Sequence, residues 1–450
     1  MSQAPAQLQK TLRRRHVEMI AIGGIIGAGL FVGSSSAIAT VGPAAIVSYA
    51  IAGLIVLAVM RMLTEMAMAV PGVQSFPDFA RAGLGQWAGF ISGWLYWYFW
   101  VVTVAIEAIA GANILHSWFT GFAVWQIGVA LMALLTGVNL LSAKSYGESE
   151  FLLSSIKVGA IVAFILVGIA ALSGLMPMQS EGLTLWTSHG GFAPKGWLAV
   201  FAGVTSVIFA LVGAEIATIA AAESAESEGM IARMTATVAL RILVFYILSI
   251  ALIVAIVPWD QIVPGQSPFA AALAKVGVPA GAVIMNMIVL VAVLSCLNSG
   301  LYVTSRMLFS LAYHGEAPRA FVTTSQRGVP LRAILISSLF AYGALAASVL
   351  SPEKVFAFLV NASGATMLFI YLMIAAAQWR LRNRFEAEEP ARLHLKMWLH
   401  PYGTLLAMLA MLGVLGAMAV TPALAPQFYA SLAPLVLAAI AQVLRARTKP

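Results

Sequence analysis

Apolar runs long enough to cross a bilayer recur twelve times along this chain, at 17–39, 43–69, 88–116, 123–142, 151–174, 197–221, 236–258, 279–304, 331–350, 354–378, 400–420 and 426–444. Each approaches or exceeds the roughly 20 residues that a spanning helix needs. Inside hydrocarbon every backbone N–H and C=O must find its partner within the segment, so runs of this length are helices. Composition agrees: 61% of the residues are hydrophobic and 9% are charged, against roughly 45–50% and 25% in soluble domains. The expected fold class is an all-α polytopic membrane protein with twelve transmembrane helices.

Lysine and arginine set the expected orientation. With a cytoplasmic N-terminus, the outer loops hold only Lys195, Lys275 and Lys354 of the 25 basic residues. The others, Arg13, Arg14, Arg15, Arg380, Arg382, Arg384, Arg445 and Arg447 among them, lie in or beside inner segments. The positive-inside rule then puts both termini in the cytoplasm. The formal charge of +8 needs no nucleic-acid partner; it reflects topology and attraction to anionic membrane lipid. Arg13–Arg15, the first apolar run and "AIA" at 37–39 mimic a secretory signal, but eleven further spans and the glycine content of that run argue against cleavage. A single cysteine, Cys296, rules out an intramolecular disulfide. No zinc-ligand spacing, Walker loop or G-x-S-x-G motif appears, and the histidines are scattered. The chain is expected to be no enzyme, with no metal, no cofactor and no obligatory protein partner.

The first span contains "GGIIGAGLFVG" at 23–33. Glycine weakens a helix by roughly 1 kcal/mol relative to alanine, so the cluster needs a reason. One reading is close helix packing through the G-x-x-x-G pairs Gly23/Gly27 and Gly29/Gly33. The other is a break that offers backbone N–H groups to an anion beside the positive end of a half-helix. The sixth span, "VIFALVGAEIATIAAAES", places Gly213 two residues before Glu215 in mid-membrane. Gly27 and Gly213 each fall in the first helix of a possible five-helix unit. Paired interruptions in corresponding spans point to a transporter built from inverted repeats with its site at the midplane, which favours the break.

These residues carry a family resemblance. "LRRRHVEMIAIGGIIGAGLFVGSS", "VGPAAIVSYAIAGLIV", "MRMLTEMA", "GWLYWYFW", "GAEIATIAAAES" and "LNSGLYVTSRMLFSLA" resemble an amino acid permease of the amino acid–polyamine–organocation superfamily. The likeness runs from about residue 9 to the last span and is strongest to bacterial γ-aminobutyrate permeases. Proline, aromatic and other amino acid permeases share most of these strings, so the substrate is less sharply marked than the family.

The resemblance implies a LeuT-type 5+5 inverted repeat with broken helices 1 and 6 and proton-coupled uptake. It divides the chain into a cytoplasmic segment at 1–16, five-helix repeats at 17–174 and 197–378, a cytoplasmic linker at 379–399, helices 11 and 12 at 400–444, and a cytoplasmic tail at 445–450. It further implies that a substrate carboxylate meets the N–H groups of Gly27, Ala28 and Gly29, with Ile26 as an apolar edge. The amine would face the carbonyls of Phe209, Ala210 and Val212 beside Gly213, with the Phe209 ring as a lid. Backbone dipoles can compensate both ends of a zwitterion without adding formal charge.

Ionisable residues deep in a span are functional candidates by default. Trp100, Thr103, Glu107 and Gly111 recur at helical spacing and give the third span one polar track. Glu107 then either bonds structurally to a neighbouring helix, holds a proton or contacts a substrate amine. Glu215 either caps loose backbone N–H groups or belongs to the pathway. Lys157 can snorkel to the interface; the resemblance instead gives it a proton-coupling role, in the place of the sodium ion of related carriers. Ser295, Asn298, Ser299, Tyr302 and Ser305 form a polar stripe in the eighth span, either interhelical glue or pathway lining, with Ser295 nearest the break in the first span. Ser363, Gly364 and Thr366 border a side-chain pocket. Arg61 and Glu65 pair with each other or with nearby loops, and Trp94, Trp97 and Trp100 read as packing and interface anchors.

The expected function is a proton symporter importing a small amino acid. An exchanger, an importer of another amino acid and a non-transporting sensor stay open. A channel would need a continuous pore with filter segments, and a membrane enzyme would need a nucleophile–base pair or metal cluster at one depth; neither pattern appears.

Overall fold

The structure, a computed structural model, describes residues 26–70, 75–141, 146–176, 181–213, 242–323 and 329–448. No strand occurs among them. In chain order the principal helices are α1 (Gly29–Val41), α2 (Ala45–Ala69), α3 (Gln86–His116), α4 (Val124–Leu141), α5 (Tyr146–Leu172), α6 (Trp197–Leu211), α7 (Val244–Ile256), α8 (Gly281–Tyr313), α9 (Leu331–Ala347), α10 (Pro352–Glu388), α11 (Tyr402–Val420) and α12 (Ala425–Thr448). Seven of these, α2, α3, α5, α8, α10, α11 and α12, contain segments long and apolar enough to cross a membrane. The other five are shorter apolar helices that fall in the remaining predicted runs. At the C-terminal side of α10 the structure differs from the expected linker: the helix continues to Glu388 before a short turn at Pro390–Arg392. Arg382 pairs with Glu386, and Arg384 with Glu388, at i,i+4 spacing along that extension, a pattern that supports an exposed helix.

α3 is the axis of the bundle. Its apolar window is 83% buried, against 11% in α12, because α8, α10, α4, α9 and α12 pack around it. A helix apolar on every side belongs inside a bundle, and "GWLYWYFWVVTVAIEAIAG" is such a sequence. α6 forms a second centre against α10, α2 and α1.

Buried polar groups need partners, and here they tie helices together. Ser206 and Thr205 of α6 donate to Asn361 Oδ1 of α10 at 2.5 and 3.2 Å, while Asn361 Nδ2 donates to its own helix at Ala357 O. Ser48 of α2 donates to Val200 O of α6 at 2.7 Å. Near the far end of α2, Glu65 is 2% exposed. It accepts from Gln378 Nε2 and the Met397 N–H and lies 3.2 Å from Arg382 Nη1. Thr404 of α11 donates to Gln378 Oε1 at 3.0 Å. Arg61 donates to Lys396 O and lies over the Trp398 ring. Of the two alternatives expected for Arg61 and Glu65, pairing with each other or with nearby segments, the hydrogen bonds follow the second: both reach the segment before α11, at Lys396 and Met397.

Candidate functional site

The winding of α6 stops at Leu211. Val212 is extended (φ −62°, ψ 143°) and Gly213 has φ +107°, a conformation in which any side chain would be strained. Opposite it, Ile26 and Gly27 are non-helical and winding begins at Ala28. The first turns of α1, Gly29–Gly33, are π-helical, a widened form frequent at functional sites. A Cβ on Gly29 would lie 2.7 Å from the Ala210 Cα, so the two backbones meet there. Gly29 admits a close neighbour, as the packing reading expects; the segment before Ile26, on which the break reading depends, lies outside the described residues.

Glu107 projects from α3 into this junction. Its Oε1 accepts the Ala28 N–H at 3.3 Å, a carboxyl oxygen placed at the partially positive start of a helix. The residue is 1% exposed and its Oε2 has no hydrogen-bond partner. A small cavity of about 30 Å³ adjoins it, room for about one water molecule and too small for an amino acid without opening. Gly27, Gly29, Thr103, Glu107, Phe209, Ala210 and Val212, all predicted site residues, form its wall. The Thr103 hydroxyl donates to Phe99 O of its own helix.

Three wall residues escaped the sequence-based site: Phe99, Trp100 and Cys296. The sequence places Trp100 both on the polar track of the third span and among the packing anchors, and its indole N–H is buried without a partner. The signal was available, since Trp100 and Glu107 share a helical face. Phe99 packs its ring 6.3 Å from that of Phe209. Cys296 is half-buried on α8, a face set only by tertiary packing.

Other predicted residues lie beside the cavity or apart from it. Ile26 and Ala28 are buried, and Ala28 enters through its N–H. Lys157 is 2% exposed, which excludes snorkelling, and its Nζ donates to Ser295 Oγ at 3.4 Å. Ser363 is buried and donates to Val360 O within α10; neither it nor Gly213 belongs to the cavity wall. Glu215, Gly23 and Gly24 lie outside the described residues. The stripe on α8 divides: Asn298 accepts from Asn139 of α4 at 2.8 Å, while Arg306 stacks on Tyr302. Trp94 and Trp97 donate to Glu316 O and Ser337 Oγ, in keeping with packing.

A cavity of about 560 Å³ lies elsewhere, beside Asn113, His116, Gln266 and Glu353. It is larger, but none of the unwound backbone reaches it. The small cavity is the better candidate because two helix termini and a buried carboxylate with an unused oxygen converge on it.

Comparison with known proteins gives the family. A family model described as "Amino acid permease" matches residues 16–446. The γ-aminobutyric acid permease of Bacillus subtilis is 49% identical over 93% of this chain and 90% of its own length. A probable GABA permease of Pseudomonas aeruginosa is 43% identical over 99% and 94%. The γ-aminobutyric acid permease of Escherichia coli is 44% identical over 94% and 91%.

Proposed function

The chain belongs to the amino acid permease family, a multi-pass membrane transporter rather than an enzyme, and on that premise we propose that it imports γ-aminobutyrate together with protons. It works by alternating access across the inner membrane of a bacterium, with twelve spans, both termini in the cytoplasm, and five-helix repeats at 17–174 and 197–378 in LeuT-type inverted order. Helices 11 and 12 at 400–444 follow the repeats.

The substrate's carboxylate takes the N–H groups of Gly27, Ala28 and Gly29, and its amine faces the carbonyls of Phe209, Ala210 and Val212. Phe209 closes over it, and Ile26, Thr103, Gly213 and Ser363 shape the surroundings. Moving a bare zwitterion through hydrocarbon strips each charge of water at an idealised cost of about 20 kcal/mol; fixed backbone dipoles replace that hydration. Lys157 with Ser295, Glu107 and Glu215 couple the proton.

The observation that carries this reading is the meeting of the α1 start and the α6 end around a buried carboxylate. The relatives named for γ-aminobutyrate support the substrate.

Uptake by purified protein in liposomes under an inward proton gradient tests it. Labelled γ-aminobutyrate, proline, phenylalanine, lysine and glutamate are supplied with and without an uncoupler. Uncoupler-sensitive accumulation of γ-aminobutyrate is expected. Exchange without accumulation would overturn symport, and accumulation of a different amino acid would overturn the substrate.

A further inference from the structure

The Ala210 carbonyl already has a partner in a side chain to which the proposed function gives no part. The Tyr246 hydroxyl donates to it at 3.1 Å. An α-helical bond to that carbonyl needs the next three residues in helical conformation, but Val212 is extended and Gly213 has φ +107°. The Val212 N–H bonds Ile208 O at 3.1 Å, two residues short of it. Tyr246 thus supplies from α7 a donor that the end of α6 cannot. Its residue is 2% exposed and belongs to the π-helical turns Ile242–Leu248, which pack against α2. From α2, Tyr49 brings its ring to 6.2 Å from that of Tyr246. Tyr49 is fully buried, and its hydroxyl has no hydrogen-bond partner, an uncommon condition for a buried polar group.

We propose that Tyr246 is a positioning residue for the substrate's amine: it holds the Ala210 carbonyl until an ammonium takes it, and its own hydrogen bond then passes to Tyr49. The inference rests on the proposed placement of the amine at the α6 carbonyls. An ammonium N–H makes a charge-assisted hydrogen bond, roughly twice as strong as a neutral one, so it can displace a phenol from a shared acceptor. A displaced phenol left buried without an acceptor would offset much of that gain. The unused Tyr49 oxygen on the neighbouring ring supplies the acceptor. Before the exchange the Tyr49 hydroxyl lacks a partner; after it, both hydroxyls are bonded. No formal charge is added to the protein. A ligand with a carboxylate but no amine cannot drive the exchange, so the two tyrosines select for the amine end of the substrate.

Equilibrium binding to purified protein, with labelled γ-aminobutyrate and with butyrate as competitor, tests this. Butyrate carries the carboxylate alone, so the ratio of the two affinities isolates the amine. Tyr246→Phe leaves the Ala210 carbonyl without that donor until the amine arrives, and should raise the ratio in favour of γ-aminobutyrate about tenfold. Tyr49→Phe removes the receiving oxygen and strands the displaced Tyr246 hydroxyl, so it should lower the ratio about tenfold. With both changes there is no hydroxyl to strand, and the ratio should match that of Tyr246→Phe rather than return to the wild-type value. Tyr49→Phe deletes only an unpartnered hydroxyl, so its unfolding midpoint should not fall. Weaker γ-aminobutyrate binding at undiminished stability is a result that a merely structural role would not give. A ratio unchanged in either folded single variant, or moved the same way in both, would overturn the inference and leave the proposed function standing. Failure of folded wild type to bind γ-aminobutyrate would instead overturn the proposed function. Should Tyr246→Phe not fold, Tyr49→Phe decides the matter alone.

Discussion

Gly364 of α10 lies so close to Thr205 of α6 that a Cβ on it would sit 1.8 Å from the Thr205 carbonyl oxygen. The neighbour is backbone, held by α6 and by the bonds of Thr205 and Ser206 to Asn361. It cannot turn aside as a side chain could. Gly364→Ala should therefore force α10 away from α6, costing about 1–3 kcal/mol as an overpacked core and shifting the end of α6 at the cavity. Thermal unfolding followed by tryptophan fluorescence checks this; an unchanged midpoint would contradict the contact.

Gly29 makes a comparable approach beside the cavity itself, 2.7 Å from the Ala210 Cα for an added Cβ. Gly29→Ala should separate the start of α1 from the end of α6 and weaken γ-aminobutyrate binding by at least about tenfold, a change of about 1.4 kcal/mol. Equilibrium binding to purified protein measures it. Retained affinity in a folded variant would show that this junction is not where substrate sits.

Glu65 ties α2 to α10 and to the segment before α11. Removing one member of a buried ion pair typically costs about 3–5 kcal/mol, and Glu65→Ala would leave Arg382, among the described residues, with Glu386 as its remaining ion-pair partner. A loss in the lower part of that range is expected, because Glu386 lies in the exposed part of α10. Unfolding in denaturant, compared with Glu65→Gln, separates charge from hydrogen bonding.

His400 adds a pH term at the same end. Its imidazole is half-buried and 5.4 Å from the Trp379 ring, and burial, then the nearby Arg382, pushes its pKa below the ordinary 6.5. As pH falls, the unfolded chain takes up the proton first. The stability contributed is therefore full above about pH 6.5 and is lost as pH drops toward the folded value. Melting temperatures across that range should fall more steeply in the wild type than in His400→Gln, and parallel curves would contradict the burial effect.

Lys157, buried against Ser295, gives a functional prediction. Lys157→Ala should lose proton-driven accumulation in liposomes while keeping exchange of γ-aminobutyrate. Unchanged pH-dependent accumulation would remove Lys157 from the coupling.

Much of this was legible in the sequence because the bilayer imposes length and hydrophobicity on every span. The glycines at 27 and 29 and the polar track of Thr103 and Glu107 pointed to the candidate cavity through local signals, lost helix propensity and helical spacing, while Gly213 lies at the end of α6 outside the cavity wall. Cys296 did not declare itself, since a thiol in an apolar helix looks like packing until its neighbours are known, whereas Trp100 shares the helical face of Glu107. Glu65 illustrates the same limit: Arg61 was the visible partner at i,i+4, but Arg382, Gln378 and Met397 are brought to it only by the fold. The extent of α10 was hidden for another reason, because its last turns are charged and read as a solvated linker.

The most direct measurement uses Cys296, the single cysteine of the chain and a wall residue of the cavity. Its rate of alkylation by a small maleimide would be followed in purified protein with and without saturating γ-aminobutyrate. A substrate seated between α1 and α6 should slow the reaction severalfold, with no such effect from lysine. An alkylation rate indifferent to γ-aminobutyrate, in protein that still binds it, would place the substrate somewhere else.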